Sequence, residues 1–204
     1  MGITTVLATE TLALAYFYHV CGMFEIVSYR IEHVFDEVFS ITSKRCCPYC
    51  ANIIGAIHIH RRATQFVEFL RSGFVISYFF LLCLGVISLT ANLLRLFLAT
   101  QYLSNLEECI TAILFVLGHI CYIFFGNYTS QKLIDQSTDV FYKIYVSQWY
   151  NAPLHAQKLL LFMMQQTIKG TAISVGGIFI PSLEGFATIF SMSVSYFTVI
   201  YSIV

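Results

Sequence analysis

Four long apolar runs, separated by mixed polar segments, set the pattern of this chain. The first span covers residues 3–29. Inside it, residues 11–24 carry no ionisable acid or base except His19, and Glu10 and Glu25 bracket the run. The second covers 72–98, and its stretch 72–94 has no charge. The third covers 109–126, where His119 is the one residue able to carry charge. The fourth covers 182–204, with Glu184 as its only charge. A helix needs about 20 apolar residues to cross the hydrocarbon core of a bilayer, so four transmembrane helices are predicted.

The segments between the spans also have a period. From 132 to 150, apolar residues recur at Ile134, Phe141, Ile144, Tyr145 and Trp149, close to helical spacing. Asn151-Ala152-Pro153 predicts a break and restart, with Asn151 as N-cap and Pro153 in the first turn. Residues 154–168 then read as a further helix. Apolar stripes outside a bilayer must be buried on something, so a helical bundle is expected there, within or between subunits. Gly176-Gly177 and Pro181 are expected to bend the path into the last helix. The fold class is an all-α membrane protein: four transmembrane helices with helical cytoplasmic extensions.

Composition supports the bilayer and charge orients the chain in it. The sequence is 58% hydrophobic and 11% charged, which excludes an ordinary soluble domain. Ten of the eleven Lys and Arg residues fall in two blocks: Arg30, Lys44, Arg45, Arg61, Arg62 and Arg71, then Lys132, Lys143, Lys158 and Lys169. Cation-rich loops stay cytoplasmic on insertion, so residues 30–71 and 127–170 are expected inside. The connection 99–108 carries Glu107 and Glu108 without a cation and is expected outside. Both termini then face outside, which four crossings require. Net charge is zero, and no nucleic-acid footprint is present. Residues 1–14 lack a basic leader region, so the first span itself directs insertion. Seven cysteines are an odd number, which argues against a closed disulfide framework.

Several short motifs invite chemistry that their context does not support. Cys47-Pro48-Tyr49-Cys50 has redox spacing but no strand–helix–strand pattern around it, which favours a plain loop over a redox pair or an acylated cluster. Cys47, Cys50, His58 and His60 lack the separation of a zinc finger, so no metal site and no cofactor is expected. His58-Ile59-His60-Arg61-Arg62 reads as a solvated helix start. Asn127-Tyr128-Thr129 is an N-glycosylation sequon that the charge pattern places on the cytoplasmic side, where it stays unmodified. Glu10 and Glu25 are expected at the two interfaces, and His19 as a packing residue.

One set of short runs has a family likeness. Ser195-Tyr196-Phe197-Thr198-Val199 resembles the run that closes the last helix of insect odorant receptors. His19-Val20-Cys21-Gly22-Met23-Phe24 resembles that family's fourth helix. His60-Arg61-Arg62-Ala63, with Phe66 and Phe69, resembles the start of its fifth. Tyr145, Trp149 and Pro153, followed by Lys158-Leu159-Leu160, resemble its pre-terminal signature. Order and spacing agree along essentially the whole chain. The resemblance covers helices four to seven of a seven-helix receptor about twice this length, so the chain is expected to be the C-terminal part of one.

The resemblance implies an odorant-gated cation channel subunit. It would assemble with a shared co-receptor in a heterotetramer, multi-pass in the plasma membrane of olfactory sensory neurons, surrounded by lipid and with an extracellular C-terminus. It would be a receptor and not an enzyme. An odorant is a small apolar molecule and needs a dry aromatic-lined cavity. Leu7, Thr11 and Ala15 from the first span, with Thr111, Phe115 and Gly118 from the third, offer two faces at helical intervals. The final helix is expected to line the pore. Ser191, Ser195, Thr198 and Ser202 recur at intervals of three and four, and Val199 and Ile203 beside them are candidates for a hydrophobic gate. Tyr145, Trp149 and Leu160 are candidates for a subunit interface. Two other classes remain. A gustatory-type channel of the same superfamily would share the fold. An unrelated transporter would need paired intramembrane carboxylates, and none is found.

Overall fold

The computed structural model describes residues 2–34, 48–101, 106–174 and 179–203. The described residues form five α-helices: α1 (Gly2–Glu32), α2 (Pro48–Gln101), α3 (Leu106–Val146), α4 (Leu154–Thr167) and α5 (Leu183–Ile203). A 3-10 turn, Trp149–Asn151, precedes α4. Among the described residues, four helices are long and apolar enough to cross a membrane: α1, α2, α3 and α5. The chain is thus a multi-span, all-helical membrane protein. α2 has 54 residues and α3 has 41. At 1.5 Å per residue they run about 80 and about 60 Å, against a hydrocarbon core of about 30 Å. Each therefore carries a long extension beyond any span. These extensions are continuous with the spans, and no proline interrupts either helix after its first residue.

The helices group into two compact units. One comprises Met1–Leu70 with Lys132–Ala172, the other Arg71–Gln131 with Ile173–Val204. The first unit buries one stripe from each of four helices. On α1 the stripe is Val20, Phe24, Val27 and Ile31; on α2 it is Ile53, Ala56, Ala63, Val67 and Leu70. On α3 it is Leu133, Ser137, Val140 and Ile144, and on α4 Ala156, Leu160, Met163 and Thr167. Steps of three, four and seven keep each stripe on one face. Each large side chain so buried contributes about 1.5–3 kcal/mol. The bundle expected for the extensions is thus built inside one subunit.

Three details differ from the sequence expectation. The buried stripe of α3 runs through Leu133, Val140 and Ile144, leaving Phe141 half-buried and Tyr145 exposed. Both sets of residues have helical spacing, and only the partner helices select between them. His58 to Arg62 is not a helix start, since α2 begins at Pro48. His60 is half-buried there, with its ring against Phe24 (5.7 Å, 65°). Asn151 does not cap α4. It lies in the 3-10 turn and donates to Gln148 Oε1 (3.4 Å), while Pro153 takes the cap position with no side-chain bond. The Gln157 amide instead reaches back, donating to the Tyr150 and Ala152 carbonyls (2.8 and 2.9 Å).

α4 ends at a left-handed glycine. Gly170 has φ +60°, donates to the Thr167 carbonyl (3.0 Å), and turns the chain so that Thr171 N–H reaches Ser137 Oγ (2.7 Å). A Cβ at Gly170 would sit 2.8 Å from Thr138 Oγ1. Glu32 and Lys143 pair at 2.9 Å on the outside of the same unit, fixing the register of α1 against α3 more than its stability.

The second unit packs α2, α3 and α5 around Leu89, Val116, Ile123 and Ile189, with Val86, Ile120, Phe179 and Phe186 against them. Around this thin core Phe74, Ile76, Phe80, Leu84, Ile87, Leu114, Phe115 and Phe125 are exposed. So large an apolar surface suits lipid or further helices, not water.

Candidate functional site

α5 has two faces of different chemistry. Ile189 and Ser193 are buried, with Phe186 and Phe197 half-buried on the same side. Phe186 meets Phe124 of α3 edge-on (5.5 Å, 82°), and Phe197 and Tyr201 meet Phe97 of α2 (6.2 and 4.6 Å). The opposite side carries Ser191, Ser195, Thr198 and Ser202, all exposed. There Glu184, Thr188, Ser191 and Ser195, with Ala187, Met192 and Tyr196, line an open groove of about 570 Å³. The gate candidates adjoin this face. Val199 is 56% exposed, whereas Ile200, a step of 100° round the helix, is 36% exposed. Ile203 lies in the last turn of α5, and its side chain is outside the described residues.

The hydroxyls of this face are oriented by their own helix. Thr198 donates to the Ser195 carbonyl (2.8 Å), Ser202 to Val199 (2.7 Å) and Thr188 to Glu184 (3.0 Å). Each thereby uses its one donor and turns oxygen lone pairs outward. A row of such oxygens is an acceptor surface suited to hydrated cations.

The start of α5 is assembled with unusual care. Ser182 caps it: Ser182 Oγ accepts from Gly185 N–H (3.0 Å), and Phe186 N–H makes the first helical bond to the Ser182 carbonyl (2.8 Å). Glu184 places a carboxylate in the first turn, where the helix dipole favours it. α3 supplies two more acceptors. Asn127 Oδ1 takes Ser182 N–H (3.2 Å) and Gln131 Oε1 takes Leu183 N–H (3.4 Å). Gly185 leaves room for Phe179, since a Cβ there would meet its ring at 2.8 Å and the Ile180 carbonyl at 3.0 Å. Sequence reasoning took Pro181 only as a bend and Asn127 only as a sequon. The signal available was Ser182 two residues before Glu184, at the opening of an apolar run.

Asn127 is fully buried in mid-helix, with Nδ2 donating to the Ile123 carbonyl (2.9 Å), and Thr129 is 3% exposed. The folded chain thus uses both of these sequon residues for packing.

The other candidates fall as follows. Thr11 and Ala15 lie on an exposed side of α1, and Leu7 lies near its start with a side chain outside the described residues. Thr111, Phe115 and Gly118 share an exposed face of α3, with nothing within 4 Å of a Cβ at Gly118. The two sets belong to different units. Tyr145 is exposed, Trp149 is half-buried beside Tyr150 (6.4 Å, 78°), and Leu160 is 1% exposed, inside the core of the first unit. His19 packs its ring edge on Phe66 (6.0 Å, 83°). Cys46 and Cys47 lie outside the described residues. Among the described residues no three His, Cys, Asp or Glu side chains gather as a metal site would require.

Comparison with known proteins gives this architecture its relatives. The solved insect olfactory receptor OR5 of Machilis hrabei, in complex with eugenol, superposes with a TM-score of 0.75 at 14% identity, over 92% of this chain and 46% of that one. The odorant receptor coreceptor of Ooceraea biroi is 29% identical over 61% of this chain and 26% of its own length. That of Anopheles gambiae is 30% identical over 42% of this chain and 19% of its own. Odorant receptor 49a of Drosophila melanogaster is 34% identical over 34% of this chain and 18% of its own. The chain thus matches less than half the length of each. The family model for the 7tm odorant receptor matches residues 1–194. On that match over nearly its whole length, the chain belongs to the 7tm odorant receptor family.

Proposed function

We propose that this chain forms the fourth to seventh helices of an odorant receptor that works as a ligand-gated cation channel, with α5 lining the pore. The observation that carries this is the division of α5 into a face packed on α2 and α3 and an opposite face of exposed hydroxyls. A helix surface of Ser and Thr oxygens has no use against lipid, but it suits an ion path shared with copies of itself from other subunits. Several subunits are needed to enclose a pore from one such helix each, which supports assembly with an odorant receptor coreceptor as a heterotetramer. The exposed α3 face of Thr111, Phe115 and Gly118 contributes to the odorant site. Eugenol in the Machilis hrabei neighbour sets the size and apolarity of ligand to try first. Odorant binding opens the channel by favouring the state in which the α5 helices stand apart. The protein resides in the plasma membrane of olfactory sensory neurons, and its subunits meet through the bundle extensions near Tyr145 and Trp149. Cells expressing the receptor with a coreceptor should give cation currents to a panel of volatile odorants, above the response of the coreceptor alone. A receptor that reaches the surface and adds no response to any of them would refute the assignment.

The orientation has its own test. Outside termini follow from the cation blocks, and a glycan on Asn127 would contradict them. Glu107→Thr turns Asn105 into a sequon in the connection between α2 and α3. It should be glycosylated, giving a band that an endoglycosidase shifts. A new sequon placed among residues 35–45 should stay bare. The reverse pattern would invert the topology.

A further inference from the structure

We infer that Asn127 and Gln131 are positioning residues that couple α3 to the pore helix by holding the first turn of α5. This deepens the proposed function and rests on its assignment of α5 to the pore. The two residues stand one helical turn apart on α3 and present their amide oxygens to consecutive backbone N–H groups, Ser182 and Leu183. The first N–H groups of a helix have no partner within it. Here two of these positions are served from another helix, and a third, Gly185, by the Ser182 cap. The Asn127 amide cannot turn freely. Its Nδ2 is committed to the Ile123 carbonyl, which fixes its oxygen toward Ser182, and the residue has no solvent exposure. Breaking the bond therefore leaves the buried Asn127 amide oxygen without this partner.

α3 is one unbroken helix from Leu106 to Val146. Thr111, Phe115 and Gly118 lie on the same rod as Asn127 and Gln131. A shift of α3 on odorant contact is therefore delivered as a rigid displacement to the base of α5. Phe179 over Gly185 fills the space beside that base and keeps the first turn from sliding independently. Of the two bonds, that of Asn127 is the shorter and the more buried, so its loss has the larger effect.

The test uses the receptor expressed with a coreceptor, with surface level measured by labelling. Asn127→Leu should move the odorant concentration–response by about three- to tenfold, the scale set by one hydrogen bond with a buried orphan. Conductance and ion selectivity should be unchanged, because neither residue lines the pore. Gln131→Leu should shift the response less. Leu183→Pro deletes the donor that Gln131 receives, and proline is tolerated at the first position of a helix. Combined with Gln131→Leu it should shift the response no further than either change alone, since both remove the same bond. Leu183 is 42% exposed and Gln131 half-buried, so these variants fold even if Asn127→Leu does not. A wild-type response at equal surface level in both Asn127→Leu and Gln131→Leu, or additive effects in the Gln131–Leu183 pair, would overturn the inference. Failure of the pore assignment shows separately, as unaltered basal current and permeation in Val199 and Thr198 variants.

Discussion

Val199→Ser or Val199→Asn should raise the current that flows without odorant severalfold, or alter ion selectivity, in the receptor expressed with a coreceptor. Val199 is 56% exposed and borders the hydroxyl face of α5. In a pore built from several copies of α5, its side chains form an aliphatic ring. A narrow aliphatic ring excludes water, and an ion that must shed its hydration there meets a high barrier. A hydroxyl or amide at the same place wets the ring and lowers the barrier in the closed channel. Ile203→Ser should act in the same direction one turn further along. Ile200 is the control. It lies 100° round the helix from Val199, closer to the Ile189–Ser193 side, and its replacement by Ser should leave basal current unchanged at equal surface level. If Val199 and Ile203 variants match wild type in basal current, selectivity and block, no gate lies there. If Ile200→Ser shows the same rise, the effect is disruption of the helix and not of a gate.

In the bundle of the first unit, Leu160→Ala and Tyr145→Ala should fail in different ways. Leu160 is 1% exposed in the stripe of α4, so its truncation leaves a cavity costing about 2–5 kcal/mol. Thermal unfolding of the solubilised receptor should fall and surface delivery with it. Tyr145 is 63% exposed, so its truncation costs the fold little. If Tyr145 and Trp149 meet another subunit, Tyr145→Ala removes an aromatic anchor worth about 2 kcal/mol, which is about a thirtyfold weaker association. Co-purification with the coreceptor should drop while the unfolding temperature holds. Trp149→Ala is half-buried and should show part of each effect. Normal co-purification of Tyr145→Ala and Trp149→Ala at wild-type stability would remove this surface from the interface.

What was legible in the sequence followed from features that act locally. Four spans could be read because hydrocarbon demands long apolar runs, and the described residues hold four helices long and apolar enough to cross, two of which, α2 and α3, run far beyond the apolar runs that announced them. The Pro153 restart was visible because proline and its neighbours constrain the backbone wherever they occur. The hydroxyl row of α5 was visible because three- and four-residue intervals place side chains on one face regardless of partners. Family membership was carried by short runs such as Tyr196-Phe197-Thr198, each weak alone and specific in order.

What was not legible depended on partners distant in the chain. Ile134, Phe141 and Tyr145 have as good a helical period as Leu133 and Val140, and Ile144 belongs to both sets. Which set is buried was decided by where α1, α2 and α4 lie, and no local property of α3 encodes that. Leu160 looked available to a neighbouring subunit because nothing local showed that its own subunit covers it. Asn127 read only as a sequon expected to stay unmodified, because a sequon is a three-residue pattern. Its buried bond to Ser182, 55 residues on, exists only once α3 and α5 are packed. The sequence by itself determined that four segments can span, that the segments between them are helical, the hydroxyl face of α5 and the family likeness, which hydropathy, helical period and short motifs carry. Tertiary structure decided which face each extension buries and what holds the base of α5, because those outcomes are set by surfaces meeting across long separations.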